Sequence, residues 1–520
     1  MSFVAPPVDA APASRLDSRA LAAAVGAAVL GGLVYVNALQ NPFVYDDYHT
    51  VAANASIQRV TDLRAIVLHD VTRPLVNFSY AIDRTLWGPR PFGFHVTNVL
   101  LHMLNVLLLF LLARRLEADR RSRSASDAAE RGAVVAFAAA TLFAVHPMMT
   151  EAVGYISGRS EVLCATFFIP ALLCGRRWLH DGAAKWAAPT LLLWVAALAT
   201  KEPAAMLPFV LFAYDWLMLG GTAAERRHRI RTVHLPLIGA ATVAGIIRLA
   251  ILARVEYAGK AAVHWPYILV ELDVIRRYVG LLVYPTGQAL FHEVAAIRSA
   301  FDPRALVALL SVGALAAIIW RLRRVDATAS LGMLWFLLLL VPSSVLIVFD
   351  QGEPMAEHRV YLASCGACLA AGSGIGWLSA WAQRAGSRAH AAAVVVFALV
   401  VLSFGADTWV RNAVWASPVT LWRESVSLAP THYRPRLLLG EALEDEGRRD
   451  AAIEEYKTAI RLRPTEPSGY VRLGRSLAES GRFDDARQQF LHAMEIDPED
   501  RSARQSLKVL DSLRAQARQP

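Results

Sequence analysis

The stretch Ala20–Leu39, ALAAAVGAAVLGGLVYVNAL, is apolar almost throughout, and Asn41–His49, NPFVYDDYH, follows it directly. A helix of about 20 apolar residues is long enough to cross the hydrocarbon core of a bilayer. The stretch is longer than the core of a signal peptide and lacks a convincing cleavage site, so we expect an uncleaved first transmembrane helix. The adjacent carboxylates Asp46 and Asp47 are then predicted to lie just beyond one face of the membrane.

The composition of the chain indicates many membrane spans. Of its 520 residues, 55% are hydrophobic and 19% are charged, and the mean hydropathy is +0.37, which is unlike an ordinary soluble domain. The net charge of +9 comes from short arginine clusters that are typical of orientation signals, so no nucleic-acid partner is predicted. Cys365 and Cys368 form a CxxC in an apolar segment without a second pair, and we expect them to be packing residues.

Ten further apolar segments are long enough to cross, which gives about eleven spans. They cover residues 93–113, 132–147, 161–179, 186–200, 203–220, 234–252, 304–320, 331–349, 359–381 and 391–409. Ile268–Tyr284 is excluded, because charges such as Glu271 and Asp273 cost about 2.5–3.5 kcal/mol each at the centre of a span. We predict that this segment is an interfacial or re-entrant helix on the outer side.

Arginine clusters indicate which face of the membrane is cytoplasmic. With a cytoplasmic tail at residues 1–19, every dense cluster falls on the inner side, as the positive-inside rule requires. The clusters are Arg114, Arg115, Arg120, Arg121 and Arg123; Arg176 and Arg177; Arg226, Arg227, Arg229 and Arg231; Arg321, Arg323 and Arg324; and Arg384 and Arg388. We therefore predict a multi-pass protein of the cytoplasmic membrane. Its transmembrane domain covers residues 20–410, and the first loop, 40–92, and the C-terminal domain are periplasmic.

The tail of the chain repeats with a period of 34 residues, at which Pro430, Pro464 and Pro498 recur. Other pairs at the same offset are Gly440 with Gly474, Gly447 with Gly481, Ala452 with Ala486, Tyr456 with Phe490, and Ala459 with Ala493. Small residues in both helices of a pair, an aromatic residue and a closing proline form the tetratricopeptide pattern. We predict a tetratricopeptide domain at 411–520, with two full repeats at about 431–498 and a half repeat on each side.

Asp46 and Asp47 are the candidate catalytic residues. The rings of Phe43, Tyr45 and Tyr48 would hold them near the membrane surface. A carboxylate that is partly desolvated there has a raised pKa and is a better base towards a hydroxyl group. A solvated pair without a chemical role is the alternative. The same pair is the candidate site for a divalent cation, Mg²⁺ or Mn²⁺, and a reaction without a cofactor is the alternative.

Short charged clusters at the mouths of other helices fall on the same predicted face. Their members are Arg73, His146, Glu151, Arg159, Glu161, Lys201, Glu202, Glu357, His358 and Arg359. Singly, each is typical of an interfacially paired charge. Together, the cations suit a phosphate leaving group anchored in the bilayer, because Arg and Lys stabilise the charge that develops on its oxygens.

Polar residues also occur inside the predicted spans. His95, Asn98, His102 and Asn105 form one stripe along the second span, and hydrogen bonding between helices is the preferred interpretation of that stripe. Arg248, near the outer end of its span, is open to both a structural and a binding interpretation.

Several segments in a fixed order carry a family resemblance that covers nearly the whole chain. They read NPFVYDD, TRPLVNFSY, FGFHVTNVLLHMLNVLLL, LFAVHPMMTEAVGYISGRSEVL, TKEPAAMLPFVL and EHRVYLAS, and the terminal repeats follow. With them, the chain resembles the transmembrane and tetratricopeptide-repeat-containing O-mannosyltransferase family, in a bacterial-type short form. That family belongs to the GT-C glycosyltransferases. The resemblance implies an all-α fold, a GT-C-like bundle of about eleven spans plus an interfacial or re-entrant helix, followed by a tetratricopeptide α-solenoid.

The resemblance also implies residue roles. Asp46 or Asp47 would deprotonate the acceptor hydroxyl. Arg159, Lys201, His358 and Arg359 would be the residues that contact the lipid phosphate. Two features depart from the family pattern: the repeat array is shorter than in the animal members, and Tyr361–Ser364 reads YLAS where a proline is expected before the serine.

The sequence thus predicts a membrane glycosyltransferase that uses a polyprenyl-phosphate-linked sugar, mannose by the resemblance. The acceptor is a hydroxyl of a protein or glycan at the outer face, recognised by the repeats, and membrane lipids are the other partners. Two alternatives stay open. One is an O-antigen-type ligase or polymerase that uses a lipid-linked oligosaccharide, and the other is a non-catalytic scaffold whose repeats recruit partners.

Overall fold

The computed structural model describes residues 17–121, 128–251, 266–297, 299–347 and 353–517, and every regular element within them is helical. Parts of some predictions lie outside the described residues. They are the predicted cytoplasmic tail up to residue 16, Arg123, the ends of two predicted spans at 252 and 348–349, and the last residues of the predicted tetratricopeptide domain, 518–520.

The helices before the repeats follow one another through short connections. They are α1 (Ser18–Leu33), α2 (Leu63–His69), α3 (Pro74–Trp87), α4 (Pro91–Arg121), α5 (Ala128–Val145), α6 (Thr150–Val153), α7 (Arg159–Asp181), α8 (Ala187–Leu198), α9 (Leu207–Met218), α10 (Ala223–Arg229), α11 (Leu235–Ile251), α12 (Pro266–Val283), α13 (Pro303–Leu322), α14 (Ala327–Ile347), α15 (Tyr361–Ala385) and α16 (Ser387–Val414). The centre of the bundle is formed by α4, α5, α7, α14 and α15, which pack side by side.

Eight helical segments of the described chain are long and apolar enough to cross a membrane. They are Ser18–Gln40, Pro91–Arg120, Ile156–Asp181, Ala223–Ile251, Pro303–Leu322, Ala327–Val345, Glu357–Ala385 and Ser387–Val414. A ninth candidate joins Glu130–Val145 to Pro147–Val153 through a bend of 56°. The bend occurs at Pro147, since proline cannot continue the hydrogen-bonding pattern of a helix. The prediction of an all-helical, multi-pass membrane protein is confirmed.

The two remaining predicted spans are short helices. Helices α8 and α9 contain 12 residues each, or about 18 Å of helix, against about 30 Å of hydrocarbon core. Pro203 and Pro208 lie at the start of the second segment, and its first residues, Glu202–Met206, form a 3-10 turn. Because α8 and α9 are consecutive, the loops after α9 lie on the same predicted face of the membrane whether both helices cross it or neither does.

Loops predicted to share a membrane face contact one another in the structure. At the predicted inner end, Arg176 Nε donates to Asp119 Oδ2 at 2.5 Å, and α5 is joined to α14 by Arg131, whose Nη2 lies 2.5 Å from Asp326 Oδ2. The predicted outer loops meet at the opposite end of these helices, around the first loop.

Helix α12, predicted to be interfacial, is not among the candidate spans of the described chain. It packs against α13 and α14. Its buried Asp273 accepts hydrogen bonds from Arg276 Nε and Arg277 Nε, both at 2.8 Å. Asp273, one of the charges that exclude this helix from the hydrocarbon core, is thus paired within one turn.

Six helices follow the bundle and form the repeats. They are α17 (Pro418–Leu428), α18 (Tyr433–Asp445), α19 (Arg449–Leu462), α20 (Pro467–Glu479), α21 (Phe483–Ile496) and α22 (Arg501–Ala517). Each packs on the next. Gly440 faces the ring of Tyr456, and Gly474 faces Phe490, at the equivalent place in the next helix pair. At these two glycines, the 34-residue pattern therefore reflects helix contacts that are too close for a larger side chain.

We expect Gly440→Ala to destabilise the repeats by about 1–3 kcal/mol, the usual cost of overpacking a filled core. A Cβ at this position would lie 2.3 Å from Cε1 of Tyr456, so the ring or the helix must move. Hydrogen exchange of α18 and α19 measures the effect. Glu446→Ala, an exposed change at the end of the same helix, is the matched control and should stay within about 0.5 kcal/mol. Equal exchange in both variants would contradict the packing argument.

Candidate functional site at the mouth of the helix bundle

Hydrogen bonds to the carboxylate of Asp47 hold the first loop against the segment between α6 and α7. Oδ1 of Asp47 accepts hydrogen bonds from the backbone N–H of Ser157 at 2.8 Å and from the Ser157 hydroxyl at 2.6 Å. Oδ2 accepts the N–H of Val44 at 3.2 Å. With donors on both oxygens and 0% exposure, this carboxylate anchors the loop.

Asp46 is exposed to solvent, in contrast to its neighbour. The Tyr155 hydroxyl accepts the Asp46 backbone N–H at 3.0 Å and donates to the Asp46 carboxylate. The Tyr155 ring is held by stacking on Trp415 at 5.3 Å. Although the residue is exposed, partial desolvation of the carboxylate raises the pKa of Asp46, against the lowering effects of the Tyr155 hydrogen bond and of the nearby His358. Asp46 is the carboxylate of the pair that a substrate can reach.

We expect Asp47→Ala to destabilise the protein by at least about 2 kcal/mol, because each buried donor left without an acceptor costs about 1–3 kcal/mol. Burial raises the pKa of Asp47 to about 7, against the lowering effect of its hydrogen bonds. An acid whose pKa is higher in the folded state stabilises the fold most below its unfolded pKa of about 3.9, and this contribution declines as the pH rises to about 7. The penalty of Asp47→Ala should therefore be larger at pH 5 than at pH 8, as measured by thermal unfolding in detergent.

The matched control for this comparison is Asp46→Asn, which should leave the unfolding temperature unchanged because the Asp46 side chain is exposed. A penalty for Asp47→Ala that grows with pH would show instead that Asp47 is ionised in the folded protein across this range.

A cluster of three cations and two carboxylates lies beside the first loop. Arg73 Nη2 is 3.4 Å and Arg248 Nη2 is 3.8 Å from Glu202 Oε1. Lys201 Nζ is 2.9 Å from Glu161 Oε1 and 3.2 Å from Ser160 Oγ. We call Arg73, Glu161, Lys201, Glu202 and Arg248 the cation cluster.

The charges of the cation cluster act strongly on one another and on Asp46. Burial raises the pKa of Glu202, but the charges of Arg73 and Lys201 outweigh it and hold this pKa at about 2. The Arg73 side chain is 36% exposed, and its buried Nε has no hydrogen-bond partner in the described residues. The charge of Arg73 also reaches Asp46 and lowers its pKa. Asp46 and Arg73 also lie in the same predicted loop, 40–92, which groups the accessible carboxylate and the cation cluster as one candidate site.

Arg159 is completely buried, with 0% exposure. It joins α7 to α3 and α4: Nη1 lies 2.5 Å from Asp83 Oδ2, Nε 2.6 Å from Asn98 Oδ1, and Nη2 2.6 Å from the carbonyl of Phe94. The guanidinium also lies over the ring of Tyr80 at 4.9 Å. This placement leaves no face of Arg159 for the lipid phosphate that the resemblance assigned to it, and we regard it as a positioning residue.

The remaining predicted residues on α6 and before α15 form a second group. His358 donates to Glu151 twice, from Nδ1 at 2.6 Å to Oε1 and from its backbone N–H at 3.0 Å to Oε2. Glu357 is buried and accepts the backbone N–H of Ala289 at 2.7 Å, and it lies 3.0 Å from His292 Nε2. Of these residues, His358 lies near enough to Asp46 to affect its pKa.

Two predicted residues lie away from the first loop. His146 Nε2 is 2.9 Å from the carbonyl of Leu282 on α12, and the His146 ring packs edgewise on Phe404 at 4.7 Å. Arg359 lines a water-sized cavity together with Glu271 and Ser344. His146 is buried, and its contacts are those of a side chain that joins helices.

The polar stripe on α4 forms hydrogen bonds to other segments of the bundle, as the preferred interpretation predicts. His95, Asn98, His102 and Asn105 are all buried and bind groups on other segments. Asn98 Nδ2, for example, donates to the carbonyl of Tyr155 at 3.1 Å. His102 Nδ1 lies 2.8 Å from the Tyr361 hydroxyl. The stripe thereby helps to hold the segment that carries Tyr155 and Ser157.

Sequence reasoning missed several residues of this site. Tyr155 and Ser157 lie within a segment that carried the family resemblance, but neither has a charge to draw attention. Asp83 has no local signal, since its partner Arg159 is 76 residues away. Within the described ranges, no group of three or more His, Cys, Asp or Glu side chains could hold a metal ion. Of the two predicted metal ligands, Asp46 is the one whose lone pairs are accessible.

Comparison with known proteins identifies relatives of both parts of the chain. Residues 443–510 match the family model of the tetratricopeptide repeat. Protein O-mannosyl-transferase Tmtc1 of Drosophila melanogaster is 26% identical over 84% of this chain and 61% of its own length. Human TMTC1 is 27% identical over 86% of this chain and 56% of its own length. Human TMTC4 is 26% identical over 81% of this chain and 64% of its own length. The predicted resemblance to O-mannosyltransferases is confirmed, and the chain spans about 60% of the length of these relatives.

A solved structure also aligns with most of the chain. It is the crystal structure of ArnT from Cupriavidus metallidurans bound to undecaprenyl phosphate. The alignment covers 90% of this chain and 79% of the ArnT chain, with 12% sequence identity and a TM-score of 0.39.

Proposed function

We propose that this chain is a membrane glycosyltransferase that moves a hexose from a polyprenyl-phosphate donor to a hydroxyl group of a protein or glycan. The observation that carries the proposal is the accessible carboxylate of Asp46 in the same loop as Arg73, which with Lys201 and Arg248 brings three cationic side chains together. The hexose is mannose by analogy with the relatives, which are named protein O-mannosyl-transferases.

In the proposed reaction, Asp46 is the general base. The acceptor oxygen attacks the anomeric carbon of the sugar while its proton passes to an Asp46 carboxylate oxygen. The bond between the anomeric carbon and the phosphate oxygen breaks, and the electron pair stays on the phosphate. The products are the glycosylated acceptor and polyprenyl phosphate. A raised pKa suits this role, since it makes the carboxylate more basic.

The cation cluster would bind the leaving phosphate. Charge increases on the phosphate oxygen as the bond breaks, so a fixed positive charge there stabilises the transition state more than the ground state. Arg73 is the most exposed of the cationic side chains in the cluster, and its guanidinium geometry suits phosphate oxygens. As a cation of the same cluster, Arg248 is added to the residues predicted to bind the phosphate.

We place this site on the outer, periplasmic side of the cytoplasmic membrane. The support is that the arginine-rich loops, including Arg176 and Arg229, lie at the end of the bundle opposite to the first loop. Clusters of this kind favour the cytoplasmic side.

The test is transfer of label from a radioactive polyprenyl-phosphate mannose to protein and oligosaccharide acceptors by the purified chain, with and without EDTA. Label on an acceptor is the expected result, and its loss in EDTA would add a divalent cation to the mechanism. If no monosaccharide donor supported transfer but a lipid-linked oligosaccharide did, the proposal would be overturned in favour of the ligase alternative. Transfer from neither donor would favour the scaffold alternative.

A further inference from the structure

Two tryptophan rings and one arginine meet at the end of the bundle opposite to the first loop. Trp216 lies in the last turn of α9, and Trp320 lies in the last turn of α13. Their ring centroids are 6.4 Å apart. Arg323 follows α13, and its Cζ lies 3.5 Å from the centroid of the Trp320 ring and 5.8 Å from that of Trp216. We call Trp216, Trp320 and Arg323 the Trp–Arg cluster.

The acids that are close to the Trp–Arg cluster in sequence are paired with other cations. Asp215, the residue before the first tryptophan, lies 2.8 Å from Arg229 Nη2. Asp326, three residues after Arg323, lies 2.5 Å from Arg131 Nη2. Among the residues that the structure describes, Arg323 has no ion-pair partner. Its guanidinium is therefore a cation that contacts aromatic rings but is not neutralised.

The Trp–Arg cluster lies on a surface that faces lipid. Only 11% of the candidate span at α13 is buried within the protein, and Trp216 and Trp320 are 48% and 60% exposed. Tryptophan is enriched at the depth where hydrocarbon meets the lipid headgroups, because its ring is apolar and its N–H is polar. The last turn of a span lies at this depth. The unneutralised cation is thus at the level of the lipid phosphates.

We propose that the Trp–Arg cluster binds the phosphate of an anionic phospholipid, which joins α9 to α13. The planar guanidinium presents paired N–H donors that match phosphate oxygens, and stacking on Trp320 restrains its orientation. A zwitterionic headgroup fits less well, because Arg321 and Arg324 flank Arg323 in the chain and repel an ammonium group. The acyl chains of the lipid would cover the exposed ring faces.

The two tryptophans are the probe in the experiment that tests this site. The full chain is reconstituted in phosphatidylcholine vesicles, and phosphatidylglycerol with brominated acyl chains is added as a minor component, because bromine quenches tryptophan fluorescence on contact. The chain has 13 tryptophans, so the quenching at the cluster is the difference between the chain and its Trp216→Phe/Trp320→Phe variant. Brominated phosphatidylglycerol should reach half of this quenching at a lower mole fraction than brominated phosphatidylcholine.

Two variants separate a site from a general attraction between charges. Arg323→Met should raise the mole fraction of phosphatidylglycerol at half-quenching at least about tenfold more than Arg324→Met does, the loss of one charged hydrogen bond. Arg324→Met is the matched control, since it removes the same charge from an exposed position one residue later. Trp320→Leu keeps every charge and should raise the mole fraction about two- to fivefold, the value of a cation–π contact, with Trp216 as the remaining probe.

Equal effects of Arg323→Met and Arg324→Met would overturn the site and leave a diffuse attraction of this end of the bundle to anionic lipid. Equal quenching by the two brominated lipids, or no effect of Trp320→Leu, would overturn it as well. If inorganic phosphate displaced brominated phosphatidylglycerol, the ligand would be a free anion and the lipid assignment would be wrong. No sugar donor or acceptor enters the measurement, so its result is independent of the proposed function.

Discussion

We expect Asp46→Asn to lower the rate of the proposed sugar transfer by about 10²- to 10⁴-fold, the usual contribution of a general base, and to leave the protein folded. Asparagine keeps the shape of the side chain but cannot take the proton from the acceptor hydroxyl. Because the Asp46 side chain is exposed, the substitution removes little stabilising contact. The measurement is label transfer by the detergent-purified variant next to wild type, with equal amounts of protein in the same oligomeric peak.

The neighbouring aspartate supplies the contrast. Asp47→Asn disturbs the hydrogen bonds to Ser157 and Val44, so its activity should fall with loss of folded protein, whereas Asp46→Asn should lose activity at full stability. A KM for the donor that is unchanged in Asp46→Asn would separate the base from the phosphate-binding groups. Retained transfer by Asp46→Asn would remove the base assignment from this residue.

We expect Arg159→Met to destabilise the protein by about 3–5 kcal/mol, because it leaves the Asp83 carboxylate charged and unpaired in a buried position. Asp83 would keep one hydrogen bond, from the Thr97 hydroxyl at 2.7 Å, but would lose the guanidinium at 2.5 Å. The carbonyl of Phe94 and the amide oxygen of Asn98 would lose their donors as well. The loss should appear as a lower unfolding temperature and a smaller yield of folded protein in detergent.

The double variant Arg159→Met/Asp83→Asn should recover part of this loss, because no buried charge is then left unpaired. Arg64→Ala, at an exposed arginine of the first loop that also carries Asp83, is the matched control and should be neutral within about 0.5 kcal/mol. If Arg159→Met folded normally and raised only the KM for the donor, Arg159 would contact the phosphate after all, as the family resemblance implies.

Much of the candidate site could be predicted from sequence, because its residues occur in short charged segments at the ends of apolar helices. The grouping of Arg73, Lys201 and Glu202 follows from such segments once they share a membrane face. What sequence could not predict is which charge pairs with which. Arg73 and Glu202 are 129 residues apart, and no local pattern links them.

The sequence by itself determined the helical membrane bundle and the tetratricopeptide repeats, because apolar length and a 34-residue period are local properties of the chain. Only the tertiary structure decided the roles of Asp46 and Asp47. The two carboxylates are identical in chemistry and adjacent in sequence, but Ser157, 110 residues later, engages Asp47 and leaves Asp46 exposed. Burial and pairing of a charge depend on distant segments, and therefore only folding separates an anchor from a candidate base.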